Sequence, residues 1–118
     1  MGVVYHSHYL VWMEVARTDL CKAAGFAYSE MEADGVLLAV SEAGCRYLRA
    51  ARYGEEIDIT ATIADSNRRF IEFHYIMMCG ERKVATGRTR HIFLNKEFRP
   101  TRLPDRYAAL LGSDAPDE

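Results

Sequence analysis

Tyr9-Leu10-Val11-Trp12-Met13-Glu14-Val15-Ala16-Arg17-Thr18-Asp19-Leu20-Cys21-Lys22-Ala23-Ala24 is the stretch on which the fold turns. Tyr9, Trp12 or Met13, Ala16, Leu20 and Ala23 or Ala24 recur at spacings of three and four, the period of an α-helix, with Ser7 expected as N-cap and Gly25 as the stop. Glu14, Arg17, Thr18, Cys21 and Lys22 fall on another side, which Val11 and Val15 interrupt, so the helix is apolar round most of its circumference. Such a helix is expected to be buried on several sides, as when a curved sheet wraps it. Glu14 then reads as a buried carboxylate that must be paired or protonated, and Arg17 and Thr18, at i+3 and i+4, are its expected partners.

Beyond Gly25 the pattern changes period. Tyr28 to Glu32 predicts a short helix or turn closed by Asp34-Gly35. Val36-Leu37-Leu38-Ala39-Val40 opens a strand reaching about Arg49, and its continuous apolar run predicts burial on both faces. Ile57 to Ile63 and Arg69 to Met77 alternate strictly, the second placing Ile71, Phe73, Tyr75 and Met77 on one face. The last strand, Lys83 to about Leu94, puts Ala85, Gly87, Thr89, His91 and Phe93 on one face and Thr86, Arg88, Arg90 and Ile92 on the other. Small residues in the first set let a helix lie close, which turns Arg88 and Arg90 away from it. Turns at Tyr53-Gly54, Asp65-Ser66-Asn67 and Cys79-Gly80-Glu81 predict antiparallel neighbours. After Pro100 and Pro104, Asp105 to Leu111 predicts a terminal helix, and residues 113–118 a disordered acidic tail. The expected fold class is α+β, one domain over residues 1–112 with an antiparallel sheet wrapped on one long central helix.

A chain of 118 residues that is 49% hydrophobic suffices for one core. No apolar run approaches the roughly 20 residues of a membrane-spanning helix, and nothing ahead of Gly2 reads as a signal peptide, so a cytoplasmic protein is expected. Cys21, Cys45 and Cys79 are odd in number and far apart, which argues for free thiols over a disulfide framework or a zinc site. His8, His74 and His91 have no second ligand at metal spacing and are assigned no role. The net charge of −2 hides an asymmetry: residues 1–44 carry two basic and six acidic side chains, residues 45–106 thirteen basic and eight acidic. An anion would go to that middle segment, whereas the acidic whole and the lack of basic stretches interleaved with aromatics exclude nucleic acid.

Gly2-Val3-Val4-Tyr5-His6-Ser7-His8-Tyr9, running on to Glu14-Val15-Ala16-Arg17-Thr18, resembles the signature of the hotdog-fold acyl-CoA thioesterases, in the branch of 4-hydroxybenzoyl-CoA thioesterase and the Tol–Pal-associated thioesterases. The similarity runs on to Arg99-Pro100-Thr101-Arg102-Leu103-Pro104. The resemblance implies that backbone N–H groups around Tyr5 and His6 polarise the thioester carbonyl at the helix start, and that Glu14 is the family's helix glutamate. It also implies a catalytic aspartate just ahead of Gly2, which this sequence does not contain. A chain that binds acyl-CoA and hydrolyses it poorly is therefore expected, unless Glu14 serves as the general base.

Arg88 and Arg90, and after them Arg68 and Arg69, are the expected contacts for the phosphates of coenzyme A, which enters as part of the substrate and not as a cofactor. A homodimer or homotetramer is expected. Two other readings stay open: a non-catalytic acyl-thioester binder, and a 3-hydroxyacyl thioester dehydratase using His6 and Glu14.

Overall fold

The computed structural model describes residues 6–25, 27–49 and 54–111; Tyr5, the Tyr53 turn position and the 113–118 tail lie outside them. In chain order the elements are α1 (His6–Ala23), α2 (Tyr28–Ala33), β1 (Leu37–Tyr47), β2 (Asp58–Ser66), β3 (Phe70–Cys79), β4 (Arg82–Leu94) and α3 (Asp105–Leu111). α1 already includes Ser7, which is therefore a helical residue and not the cap. Gly25 and Gly35 stop α1 and α2 with φ of 109° and 85°, values that only a residue lacking Cβ adopts without strain.

The four strands form one antiparallel sheet in the order β1-β4-β3-β2. The β2–β3 and β3–β4 connections are hairpins, as the turn signals require; Asn67 Oδ1 holds the first by accepting from the N–H of Arg69 and Phe70, at 2.7 and 3.1 Å. β1 and β2 do not pair, contrary to the expectation that successive strands are neighbours. β1 pairs with β4 instead, so the two lie on opposite edges. Register shifts at Val40/Glu42 and Ile63/Asp65 bend both edge strands.

α1 lies across the face that carries Ile71, Phe73, Tyr75 and Met77, all buried, together with Ala85, Thr89, His91 and Phe93 of β4. Tyr9, Met13 and Cys21 are its buried residues, and Trp12, Ala16 and Leu20 pack at the margin. α3 closes one end, Arg106 reaching Asp34 and Glu30 at 3.0 Å each while the Tyr107 hydroxyl donates to Asp34.

Two burial expectations are corrected here. α1 is covered on one side only: Leu10, Val11 and Val15 are 46%, 55% and 54% exposed. β1 is an edge strand with Val40 exposed, not a strand buried on both faces. The cause is common to both, because a single four-stranded sheet has one concave face and covers one side of one helix.

Gly87 leaves room for the end of the Met13 side chain. A Cβ there would overlap the Met13 Sδ and stand 3.3 Å from the Gly44 carbonyl oxygen, whereas one at Gly44 would find nothing nearer than the Arg88 Cγ at 4.0 Å. Gly87→Ala is therefore expected to destabilise by about 1–3 kcal/mol through overpacking, and Gly44→Ala to be near neutral. Urea midpoints of the two variants check this; equal midpoints would show that α1 tolerates the shift.

Candidate functional site

α1 is described over His6–Ala23, and at the N-terminal end of a helix the first-turn N–H groups and the positive end of the dipole face the same way. Neither Tyr5 nor the His6 side chain is among the described groups, so the geometry available at this end is that of the backbone.

Farther along the helix, a cavity of ≈ 200 Å³ opens between α1, α2, β1 and β4. Exposed Glu14, Glu32 and Val40 stand at its rim, and His91, 1% exposed, at its floor beside Arg17 and Tyr28. The expected pairing of Glu14 does not occur. Among the described residues it makes no ion pair with Arg17, and the Thr18 hydroxyl donates to the Glu14 backbone carbonyl at 2.8 Å, not to the carboxylate. Being exposed, the Glu14 carboxyl is in contact with water and needs no partner. Arg17 is turned inward, with a buried Nε that has no hydrogen-bond partner.

Under α1 runs a chain of buried polar groups. Tyr75 Oη and Thr89 Oγ1 are 2.6 Å apart, and His91 Nε2 lies 2.9 Å from the same Thr89 oxygen. That leaves His91 Nδ1 buried with no hydrogen-bond partner. Burial first, and the nearby Arg17 cation second, lower the His91 pKa to about 4, so the ring is neutral at ordinary pH.

Arg88 and Arg90 are on the outer face of the sheet, as their parity requires. Arg88 bridges Glu42 at 2.5 Å and approaches Glu72 at 3.6 Å, while the Arg90 guanidinium lies 3.8 Å over the Phe70 ring. His74 donates to Glu72 at 2.9 Å, and that bond, followed by the Arg88 and Arg90 charges, holds the Glu72 carboxyl below its usual range. A broad depression of ≈ 670 Å³ beside Arg88 is lined by Thr60, Thr62, His74 and Thr86 among others. Arg68 is engaged elsewhere, donating to the Leu103 carbonyl at 3.2 Å and pairing with Asp105. Arg69 is exposed in the β2–β3 turn. The structure thus groups Glu14 with Arg17 and His91, separates them by the sheet from Arg88 and Arg90, and leaves Arg68 with α3.

His91 is the residue that sequence reasoning passed over. Its signal was parity: Thr89 and His91 are polar positions on a strand face shared with Ala85, Gly87 and Phe93, the face turned to the helix. Searching for a second metal ligand was the wrong test, and among the described residues no metal-binding group of three or more side chains exists.

The sequence profile of the thioesterase-like superfamily matches residues 1–111. The Bacillus subtilis (strain 168) protein named "Putative acyl-CoA thioesterase YneP" is 41% identical over 103 residues, covering 85% of this chain and 74% of that one. Among solved structures, the hypothetical protein TT1821 from Thermus thermophilus is 35% identical with a TM-score of 0.89, covering 95% of this chain and 86% of its own. The DHNA-CoA thioesterase from Staphylococcus aureus is 32% identical with a TM-score of 0.83, covering 91% and 72%. The architecture is the hotdog fold, an antiparallel sheet curved over one long helix. No helix of the described residues is long and apolar enough to cross a membrane.

His91 makes stability depend on pH. Its folded pKa, about 4, lies below its ordinary 6.5, so between these values the unfolded chain binds the extra proton. Its contribution is complete above pH 6.5 and is lost as pH falls toward 4, with a slope of at most about 1.4 kcal/mol per unit. Melting temperatures from pH 7.5 to 4.5 should fall for the parent and more gently for His91→Gln. Parallel curves would mean that His91 is hydrated.

Proposed function

This chain belongs to the thioesterase-like superfamily, and from that membership we propose that it is an acyl-CoA thioesterase, hydrolysing an acyl thioester to the free acid and coenzyme A. The match over residues 1–111, joined to relatives named for that reaction, carries the reading. The Gly2 to Thr18 motif supports the finer placing beside the 4-hydroxybenzoyl-CoA and Tol–Pal-associated branch.

In this reading the carbonyl oxygen sits on the N–H groups at the start of α1, around Tyr5 and His6. Negative charge developing there meets fixed donors and the positive end of the helix dipole. A carboxylate removes a proton from water, the resulting hydroxide adds to the carbonyl carbon, the C–S bond breaks, and the proton passes to the departing thiolate. Glu14 is our candidate for that base, because it is exposed at a cavity mouth and not tied up by Arg17.

Glu14 follows His6 by eight positions, about 12 Å along the axis of one helix, too far for both to serve one carbonyl. Two α1 helices crossing antiparallel near Leu10 and Val11 would bring the helix start of one copy opposite Glu14 of the other. Leu10, Val11 and Val15 are the exposed apolar residues on that side, and β1 adds an open sheet edge. We therefore read the working unit as a homodimer with a shared site.

Coenzyme A phosphates are assigned to Arg88 and Arg90, and after them Arg68 and Arg69; a phosphate would have to displace Glu42 and Glu72 from Arg88, and Asp105 from Arg68. Arg88 and Arg90 are on the far face of the sheet from Glu14, so the coenzyme arm has to reach from one face of the sheet to the other.

Thiol release from acyl-CoA substrates tests the activity. Glu14→Gln is expected to lower kcat by about 10²–10⁴-fold with the fold intact by circular dichroism. Val11→Arg should sediment as a monomer and lose hydrolysis with it; a fully active stable monomer would end the shared-site reading. Exchanging Arg88 and Arg90 for alanine should raise KM for acyl-CoA and leave it unchanged for an N-acetylcysteamine thioester that lacks the nucleotide. Equal changes for both substrates would remove the phosphate assignment.

A further inference from the structure

The turn that follows β4 combines two features that each carry a cost. Asn95 and Arg99 close a three-residue loop, the Asn95 N–H donating to the Arg99 carbonyl at 2.8 Å and the Phe98 N–H to the Asn95 carbonyl at 2.9 Å. The last position of such a loop is left-handed and ordinarily takes glycine. Here it is Phe98, with φ of 62°, the one non-glycine residue at positive φ among the described residues. A bulky side chain is strained in that region of backbone space. The same side chain is 73% exposed, more than any other large hydrophobic of the described residues. Asn95 fixes it there, because its Oδ1 accepts from the Glu97 and Arg99 N–H groups at 2.9 and 3.1 Å. Glycine would avoid both costs, so neither folding nor solubility accounts for a phenylalanine at this position.

Its surroundings indicate what would cover it. Lys96, Glu97, Arg99 and Pro100 are all exposed, whereas the other exposed large hydrophobics are on α1, on β1 and its end, and on the outer face of β3. Phe98 is therefore a lone aromatic on a charged tip. Residues 95–104 carry three basic side chains, Lys96, Arg99 and Arg102, against Glu97, in a chain whose net charge is −2. A protein pocket that took Phe98 would need a rim of near-neutral contacts to exclude water. A bilayer has its apolar interior directly beneath anionic headgroups, which matches an aromatic ringed by cations. The tip is also at the opposite end of the sheet from the start of α1: the turn leaves from Leu94, which pairs with Leu37, whereas Tyr9 of α1 packs on Tyr47, with ring centroids 4.9 Å apart, and Tyr47 pairs with Ala85.

We propose that the Asn95–Arg99 turn is a membrane-surface anchor, Phe98 entering the headgroup boundary of an anionic bilayer while the cations beside it meet the lipid phosphates. The anchor goes beyond the thioesterase reading and does not depend on it, and docking at this end leaves the start of α1 uncovered. One aromatic with a net of two positive charges gives reversible, salt-sensitive attachment.

Sedimentation of the full chain with vesicles of phosphatidylcholine, alone and mixed with phosphatidylglycerol, tests this. Binding to the mixed vesicles is expected in low salt, and several-fold weaker binding in high salt or on the neutral vesicles. Phe98→Gly is expected to bind the mixed vesicles about tenfold more weakly, yet to melt at or above the parent's temperature, because glycine accepts the left-handed backbone. Phe98→Trp should keep the binding and shift its emission to shorter wavelength on vesicles, beyond any shift of the parent. Equal binding by the parent and Phe98→Gly would overturn the anchor. So would a Phe98→Gly variant that melts well below the parent, since Phe98 would then be holding the turn. Phe98-dependent retention on polyglutamate beads, with no sedimentation on vesicles, would point to an acidic protein and overturn the lipid assignment.

Discussion

The close approach of α1 to the concave face of the sheet is the constraint on which the rest of the molecule depends. The Met13 side chain lies against β4 where Gly87 has no side chain, and α1 carries Tyr9, Met13 and Cys21 as its buried residues over the row of Ile71, Phe73, Tyr75 and Met77. A helix held that near a sheet traps whatever the strand presents beneath it. β4 presents Thr89 and His91 as well as Ala85 and Phe93, so the same packing that builds the core also buries a polar chain. Burial at this depth stabilises only when each polar group finds a partner. Tyr75 and Thr89 do, through each other, whereas His91 is satisfied at one nitrogen and open at the other. Beside that open nitrogen lies the cavity between α1, α2, β1 and β4.

Much of this architecture was legible because its signals are periodic and local. The alternation in β3 identified its four core residues, the parity of β4 assigned Arg88 and Arg90 to the outer face, and the glycines after α1 and α2 marked their ends. The strand order was not legible. Pairing β1 with β4 is a contact between segments some fifty residues apart, and local patterning carries no information about which distant edge a strand joins.

Burial was misjudged for the same residues that misled on function. An apolar run in β1 and an apolar girdle on α1 read as burial, but sequence periodicity reports what a surface wants, not whether this chain supplies the cover. Glu14 was drawn into the error, since a carboxylate on a helix thought to be enclosed had to be neutralised by Arg17. With that side of the helix open, the pairing has no driving force. His91 was assigned no role for lacking a second metal ligand, and its inward parity places it buried beside the cavity.

In the proposed homodimer the open side of α1 limits how a second copy would bind. Leu10, Val11 and Val15 are each about half exposed already, so covering them completely gains on the order of 1 kcal/mol apiece against about 1.5–3 for a fully exposed side chain. Counted over both copies the sum is about 6 kcal/mol, near the low end of the roughly 4–15 kcal/mol of lost freedom that association has to overcome. A helix contact alone would therefore hold two copies weakly. The open edge of β1 would add main-chain hydrogen bonds and the cover of Val40, Tyr47 and Leu48, which are also about half exposed. A dimer held by both elements fixes the crossing of the two helices to the register of the two edge strands. The position of Glu14 relative to the partner's helix start then becomes a property of strand pairing.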